Sequence, residues 1–147
     1  MSKVIGKNFT KMKQKLDSVG CGFCLAKWTQ VTMHLHDGTT HSCHHPAPHK
    51  IGLRELKKNP TSLHNSLIKK KARKEMLEGK RPSECGYCWK VEDNSDSFSD
   101  RIFKSEESWS KPYFKEIKEL NWREDYLPKY VEVSFSNTCN FACAYCG

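Results

Sequence analysis

Eight cysteines are the residues of this chain best equipped for chemistry. Three of them, Cys139, Cys143 and Cys146, stand in the run "NTCNFACAYCG" with intervals of x3 and x2. Structural zinc sites group four ligands, commonly with a C-x2-4-C pairing, so this trio is one thiolate short. Three thiolates suit an iron–sulfur cubane better, because the fourth iron is then left for a small molecule to bind. The other five are Cys21, Cys24, Cys43, Cys85 and Cys88. Cys85 and Cys88 lie three apart on an expected helical turn, so both sulfurs face one side. A C-x2-C pair of this kind gives two ligands to one metal. The remaining two ligands must come from Cys21, Cys24 and Cys43, and on chemistry alone Cys21 and Cys24 serve equally well. No apolar leader follows the opening "MSKVIGKNFTKMKQKL". A thiol-rich chain of that kind is expected in a reducing cytoplasm, with its thiolates held for metal and not paired as disulfides.

The terminal run follows the alternating segment "KYVEVSFS", read as a half-buried strand through Val131, Val133 and Phe135. A strand feeding directly into C-x3-C-x2-C resembles the radical S-adenosylmethionine (radical SAM) superfamily. The resemblance implies that Cys139, Cys143 and Cys146 hold a [4Fe–4S] cluster whose open iron is chelated by SAM. Reductive cleavage of SAM then releases a 5′-deoxyadenosyl radical that abstracts hydrogen from substrate. Tyr145 matches the family's aromatic position near the adenine. The implied electron donor is a low-potential protein such as flavodoxin or ferredoxin. No residue names the substrate, although auxiliary-cluster domains often accompany peptide or protein modification.

Upstream, C-x13-G-x4-C runs from Cys24 through Gly38 to Cys43, and Cys85-x2-Cys88 comes later. This resembles the opening of SPASM/twitch domains, which hold auxiliary clusters in the same superfamily. The resemblance assigns a second [4Fe–4S] cluster, or in the plainer alternative zinc, to Cys24, Cys43, Cys85 and Cys88, with Cys21 spare. The order departs from the usual one, since this domain precedes the radical cysteines instead of following the barrel.

The elements that must position these groups are short. The expected fold class is α+β: a small cysteine-rich domain at 1–128 with a β-hairpin and several helices. The first strand of a (β/α) radical SAM barrel would follow at 129–147. Ending one residue after Cys146, the chain is read as the N-terminal part of a longer enzyme, with little activity of its own.

Residues 1–20 read as a short helix before a turn at Gly20 and Gly22. Alternation of Val31, Met33 and Leu35 with polar residues, broken at Asp37-Gly38, predicts strands near 29–36 and 39–44 joined by a two-residue turn. In that register His34 faces His41, and Thr32 faces Cys43. "HHPAPHK" reads as a loop, "GLRELKK" as a helical turn, and 62–78 as one helix burying Leu63, Leu67, Ala72 and Met76 or Leu77. Pro82 suits the first turn of a helix carrying "SECGYCWKVED". "DNSDSFSD" reads as a loop, and Pro112 to Trp122 as another amphipathic helix.

The 147 residues carry a net charge of +8, with 37% hydrophobic and 29% charged residues. The mean hydropathy of −0.76 forecasts a thin core that a bound metal would reinforce. No segment approaches the ~20 apolar residues of a membrane span. The basic run "KKKARK" at 69–74 reads as a solvated helix face. Aromatic residues are not interleaved with it, so nucleic-acid binding is not indicated. The histidines at 34, 36, 41, 44, 45 and 49 read as the polar face of the hairpin and its loop, with cluster tuning as the sharper reading. The competing functional class is a basic zinc module contacting nucleic acid or a protein, which leaves the terminal trio unexplained.

Overall fold

The computed structural model describes residues 2–136 and 138. Its class is α+β, with eight α-helices around one mixed four-stranded sheet among the described residues.

Helix α1 (Ser2–Asp17) carries Met12 and Leu16 inward, four apart and both essentially inaccessible to solvent. It leads into a tight passage at Gly20 and Gly22. A Cβ on Gly20 would meet the Gly79 Cα at 2.6 Å, and one on Gly22 would sit 1.9 Å from the Lys80 oxygen. Both positions therefore require glycine for contact between two backbones rather than for turn geometry. After Cys24, one helical turn α2 (Ala26–Thr29) feeds β1 (Gln30–His34).

Strand β1 pairs antiparallel with β2 (Thr39–His41), with Thr32 opposite His41 and His34 opposite Thr39. The register thus lies two residues from the expected one. Gly38 does take a left-handed φ of +70°. The Asp37 carboxylate, however, accepts from the Thr39 backbone N–H and hydroxyl (3.0 and 2.7 Å), and the loop spans Leu35 to Gly38. A shift of two keeps every side chain on its expected face, so His34 and His41 still meet, Nε2 to Nε2, at 3.0 Å. The expected loop "HHPAPHK" also yields a short strand, β3 (His49–Lys50), paired with β2.

Helix α3 (Leu53–Lys58) ends before Pro60 as expected. The helix expected over 62–78 is instead two, α4 (Ser62–Asn65) and α5 (Leu67–Leu77). The break is at Ser66, whose extended backbone and side chain cap α5 through the Lys69 N–H. The re-aimed helix buries Ala72 and Met76 but leaves Leu63 and Leu67 exposed. Its basic run is a solvated face only in part, at Lys71 and Lys74. Lys69 and Arg73 are almost wholly buried. Arg73 donates to the Lys27 carbonyl (3.1 Å) and to Asn65 Oδ1 (2.7 Å), and lies 5.8 Å above the Trp28 ring.

A 3-10 turn at Ser83–Cys85 follows Pro82 and runs into α6 (Gly86–Asn94). Helix α7 (Asp100–Glu106) lies where no helix was expected. Its inward residues are Arg101, Ile102 and Ser105, so only one of the three is apolar. The expected helix from Pro112 is a 3-10 turn at Lys111–Tyr113 followed by α8 (Phe114–Glu119), which buries Ile117.

Strand β4 (Tyr130–Ser134) returns to the hairpin's sheet and runs parallel to β1, giving the order β3-β2-β1-β4. Val131, Val133 and Phe135, expected to be half-buried, are open to solvent, while Glu132 accepts from the Thr32 hydroxyl at 2.6 Å. The core gathers α1, the Phe23–Trp28 segment, α5 and α6 around Phe23, Leu25, Trp28 and Met76, all at most 1% exposed. No helix among the described residues is long and apolar enough to cross a membrane.

Candidate metal centre

Four of the cysteines converge. Cys24, at the turn before α2, Cys43, just after β2, and Cys85 and Cys88, at the start of α6, line one cavity. Cys24, Cys85 and Cys88 are buried and Cys43 half-buried, and all four are free thiols. Cys21 lies elsewhere: it is exposed and its thiol faces the Gly79 carbonyl at 3.3 Å. The quartet assembled is the one expected. Cys139, Cys143, Cys146 and Tyr145 lie outside the described residues.

Position in the chain explains the convergence. Gly22 brings the Cys24 segment against the Lys80 backbone, a few residues ahead of Cys85. The hairpin returns the chain so that Cys43 arrives beside α2. Trp89 closes another side, donating its indole N–H to the Pro82 carbonyl (2.8 Å) between the guanidiniums of Arg81 and Arg101.

The cavity wall carries charges of both signs. Lys27 is buried on the wall and pairs with Glu84. Burial disfavours its ammonium, but the charges of Cys85 and Glu84 outweigh that and hold its pKa above the ordinary lysine value. Arg101 lies on the wall too, tied by Glu92 at 2.8 Å and Asp17 at 2.9 Å. The thiols themselves are pushed up. Burial, then the neighbouring Cys43, Cys88 and Cys85, carries Cys24 to about 12. Burial raises Cys85 to about 11 although Lys27 opposes it. Burial also raises Cys43 and Cys88, each partly relieved by a backbone N–H, from His45 and Arg101 respectively. Four crowded, desolvated thiols stay protonated by themselves. A bound cationic centre would deprotonate them, releasing protons as it binds.

Two further observations bear on what fits. The Ser42 hydroxyl is buried on the cavity wall and has no hydrogen-bond partner among the described residues. A hydroxyl in that position can donate to a sulfur-bearing group placed in the cavity. Second, among the described residues one trio of His, Cys, Asp or Glu has its ligand atoms all within 4.8 Å of one another, and it contains no cysteine. Any three of the four cysteine sulfurs therefore include a pair more than 4.8 Å apart.

Sequence reasoning missed the polar wall. Lys27 sits in "LAKWT", an apolar stretch that gives no sign of a buried cation, and Arg101 opens a helix without an apolar stripe. No family model, curated protein or solved structure matches the chain.

Proposed function

We propose that this chain carries the cluster-binding parts of a radical SAM enzyme, with an auxiliary [4Fe–4S] cluster preceding the SAM-binding one. The observation that carries the reading is the meeting of Cys24, Cys43, Cys85 and Cys88, from three separate segments, in one cavity that leaves Cys21 out. The motif resemblance names the same four residues. The Ser42 hydroxyl and the wall cations Lys27 and Arg101 suit a sulfur-bearing anionic group.

In this reading Cys139, Cys143 and Cys146 hold the second cluster, whose open iron supplies the site for SAM and the electron that cleaves it. Tyr145 would lie beside the adenine, and the first strand of the barrel would be β4. A flavodoxin or ferredoxin is the donor and a peptide or protein the substrate class. The residues around the upstream cavity bind and shelter: Trp89 excludes water, Lys27 and Arg101 balance charge, and Ser42 donates to sulfur.

Anaerobic reconstitution tests this. The chain should hold about eight irons, and C24S or C85S should each remove about four. The C139A/C143A/C146A variant should also lose about four, together with any change in the reduced protein's electron paramagnetic resonance on adding SAM. A colourless protein holding zinc in the quartet would overturn the auxiliary assignment. Two clusters whose spectra ignore SAM would overturn the radical SAM assignment.

A further inference from the structure

On the wall of the cysteine cavity stands a second constellation with no sulfur in it, and two of its members, His45 and Asp100, line that cavity. His44 and His45 follow Cys43 directly, and Asp100 opens α7. The His44 Nε2 lies 3.0 Å and the His45 Nε2 2.8 Å from the same oxygen, Oδ2 of Asp100. The three ligand atoms lie within 4.8 Å of one another. For metal–ligand bonds of about 2.1 Å, neighbouring donors in an octahedral shell lie about 3.0 Å apart, and in a tetrahedral one about 3.4 Å. The two His–Asp separations match the tighter edge, and are also those of imidazoles hydrogen-bonded to the carboxylate.

The donors are held before any ion arrives. The His45 ring stacks on Tyr87, with centroids 3.7 Å apart and planes 13° from parallel. Asp100 is followed by Arg101, whose guanidinium is locked by Glu92 and Asp17. His44, in contrast, has a half-exposed side chain, so one side of the trio faces water. Two imidazoles and one carboxylate with the remaining positions open is the donor set of a zinc- or iron-type ion carrying exchangeable water. It has too few oxygens for calcium or magnesium.

We propose that His44, His45 and Asp100 bind a mononuclear divalent transition-metal ion on the wall of the cavity that the four cysteines line. Its donors include no thiolate, so its occupancy is read apart from that of the cysteines.

The test is an anaerobic titration of the full chain, as purified, with Co²⁺, followed by calorimetry, absorption and NMR. Binding at the trio gives weak d–d bands without a sulfur-to-cobalt charge-transfer band, and paramagnetic shifts of the two imidazoles. His44→Ala changes a half-exposed side chain and should leave the near-ultraviolet circular dichroism intact while weakening this event at least roughly a hundredfold, as should Asp100→Asn. Removing a direct ligand should cost no less than losing an outer-shell partner, which costs 10–100-fold. Cobalt uptake that always carries the charge-transfer band would overturn the proposal. So would a thiolate-free event that is as tight in a folded H44A as in the wild type, whatever D100N does.

Discussion

Replacing Lys69 with methionine should stabilise the protein at neutral pH, by an amount that shrinks as the pH rises. Lys69 is 1% exposed, and its Nζ donates to the Thr40 hydroxyl (2.9 Å) with no carboxylate in contact. Burial first, then the positive charges of Arg73 and Lys27, bring its pKa down from 10.5 to about 7, with Glu84 opposing weakly. Below about pH 7 the side chain is an ammonium in folded and unfolded chains alike, and the full cost of burying it is felt. Between pH 7 and about 10 the unfolded chain keeps a proton that the folded one has lost, so this residue's cost falls as pH rises. At about 1.36 kcal/mol per pKa unit, the full cost is on the order of 4–5 kcal/mol, of which roughly 3 disappears between pH 6.5 and 9.5. Methionine fills similar volume and does not titrate, and Thr40 Oγ1 keeps its contacts to the Thr32 and Leu63 carbonyls. The assay is urea unfolding of wild type and K69M, in the same metal-loaded state, at both pH values. Removing the Lys69 charge also relieves part of the lowering of His41, His49 and His64, which favours K69M at the lower pH and so acts in the same direction. A stability difference that is the same at both pH values, or a wild type more stable than K69M at pH 6.5, would refute the desolvation argument.

Cys21→Ser should leave iron content unchanged, in contrast to C24S; a loss of about four irons from C21S would show that the quartet is wrongly chosen. Gly22→Ala should destabilise by more than about 2 kcal/mol or prevent folding, because its Cβ would overlap the Lys80 carbonyl; thermal unfolding measures it, with Gly52→Ala, in open space, as the control. Arg101→Met should cost roughly 3–5 kcal/mol by leaving Glu92 buried without its partner, and adding Glu92→Gln should recover much of that loss in a double-mutant cycle. The Arg101 and Lys13 contacts, outweighing burial, hold Asp17 below the usual carboxylate range, as Arg101 and Ser99 hold Glu92. That stability is present above about pH 4 and is lost as pH falls through the depressed folded values, so R101M should show a flatter acid limb than wild type in unfolding curves.

What could be read in the sequence follows from which features are local. The Asp37-Gly38 turn, the α3 stop before Pro60 and the β4 alternation each rest on neighbouring residues, and each element is present. The hairpin register slipped because the Asp37 side chain builds a wider loop than its dipeptide announces. Helix α7 escaped because Arg101 and Ser105 are satisfied by Asp17, Glu92 and the Leu25 N–H, partners far away in sequence. The same holds for Lys69 and Arg73, whose burial depends on the hairpin and on Asn65. Intervals alone leave Cys21 and Cys24 open and only the motif resemblance separates them, whereas the His44, His45 and Asp100 grouping needs a contact between residues more than fifty positions apart.

The parallel pairing of β1 with β4 sets a distance. Cys24 precedes β1 and Cys43 follows β2, so the thiol cavity belongs to the end of the sheet where β1 begins. The chain departs from β4 at the opposite end, beside His34. Four rises of ~3.3 Å make that span about 13 Å. The sheet thus works as a ruler: a group held where β4 ends is out of bonding reach of the cavity.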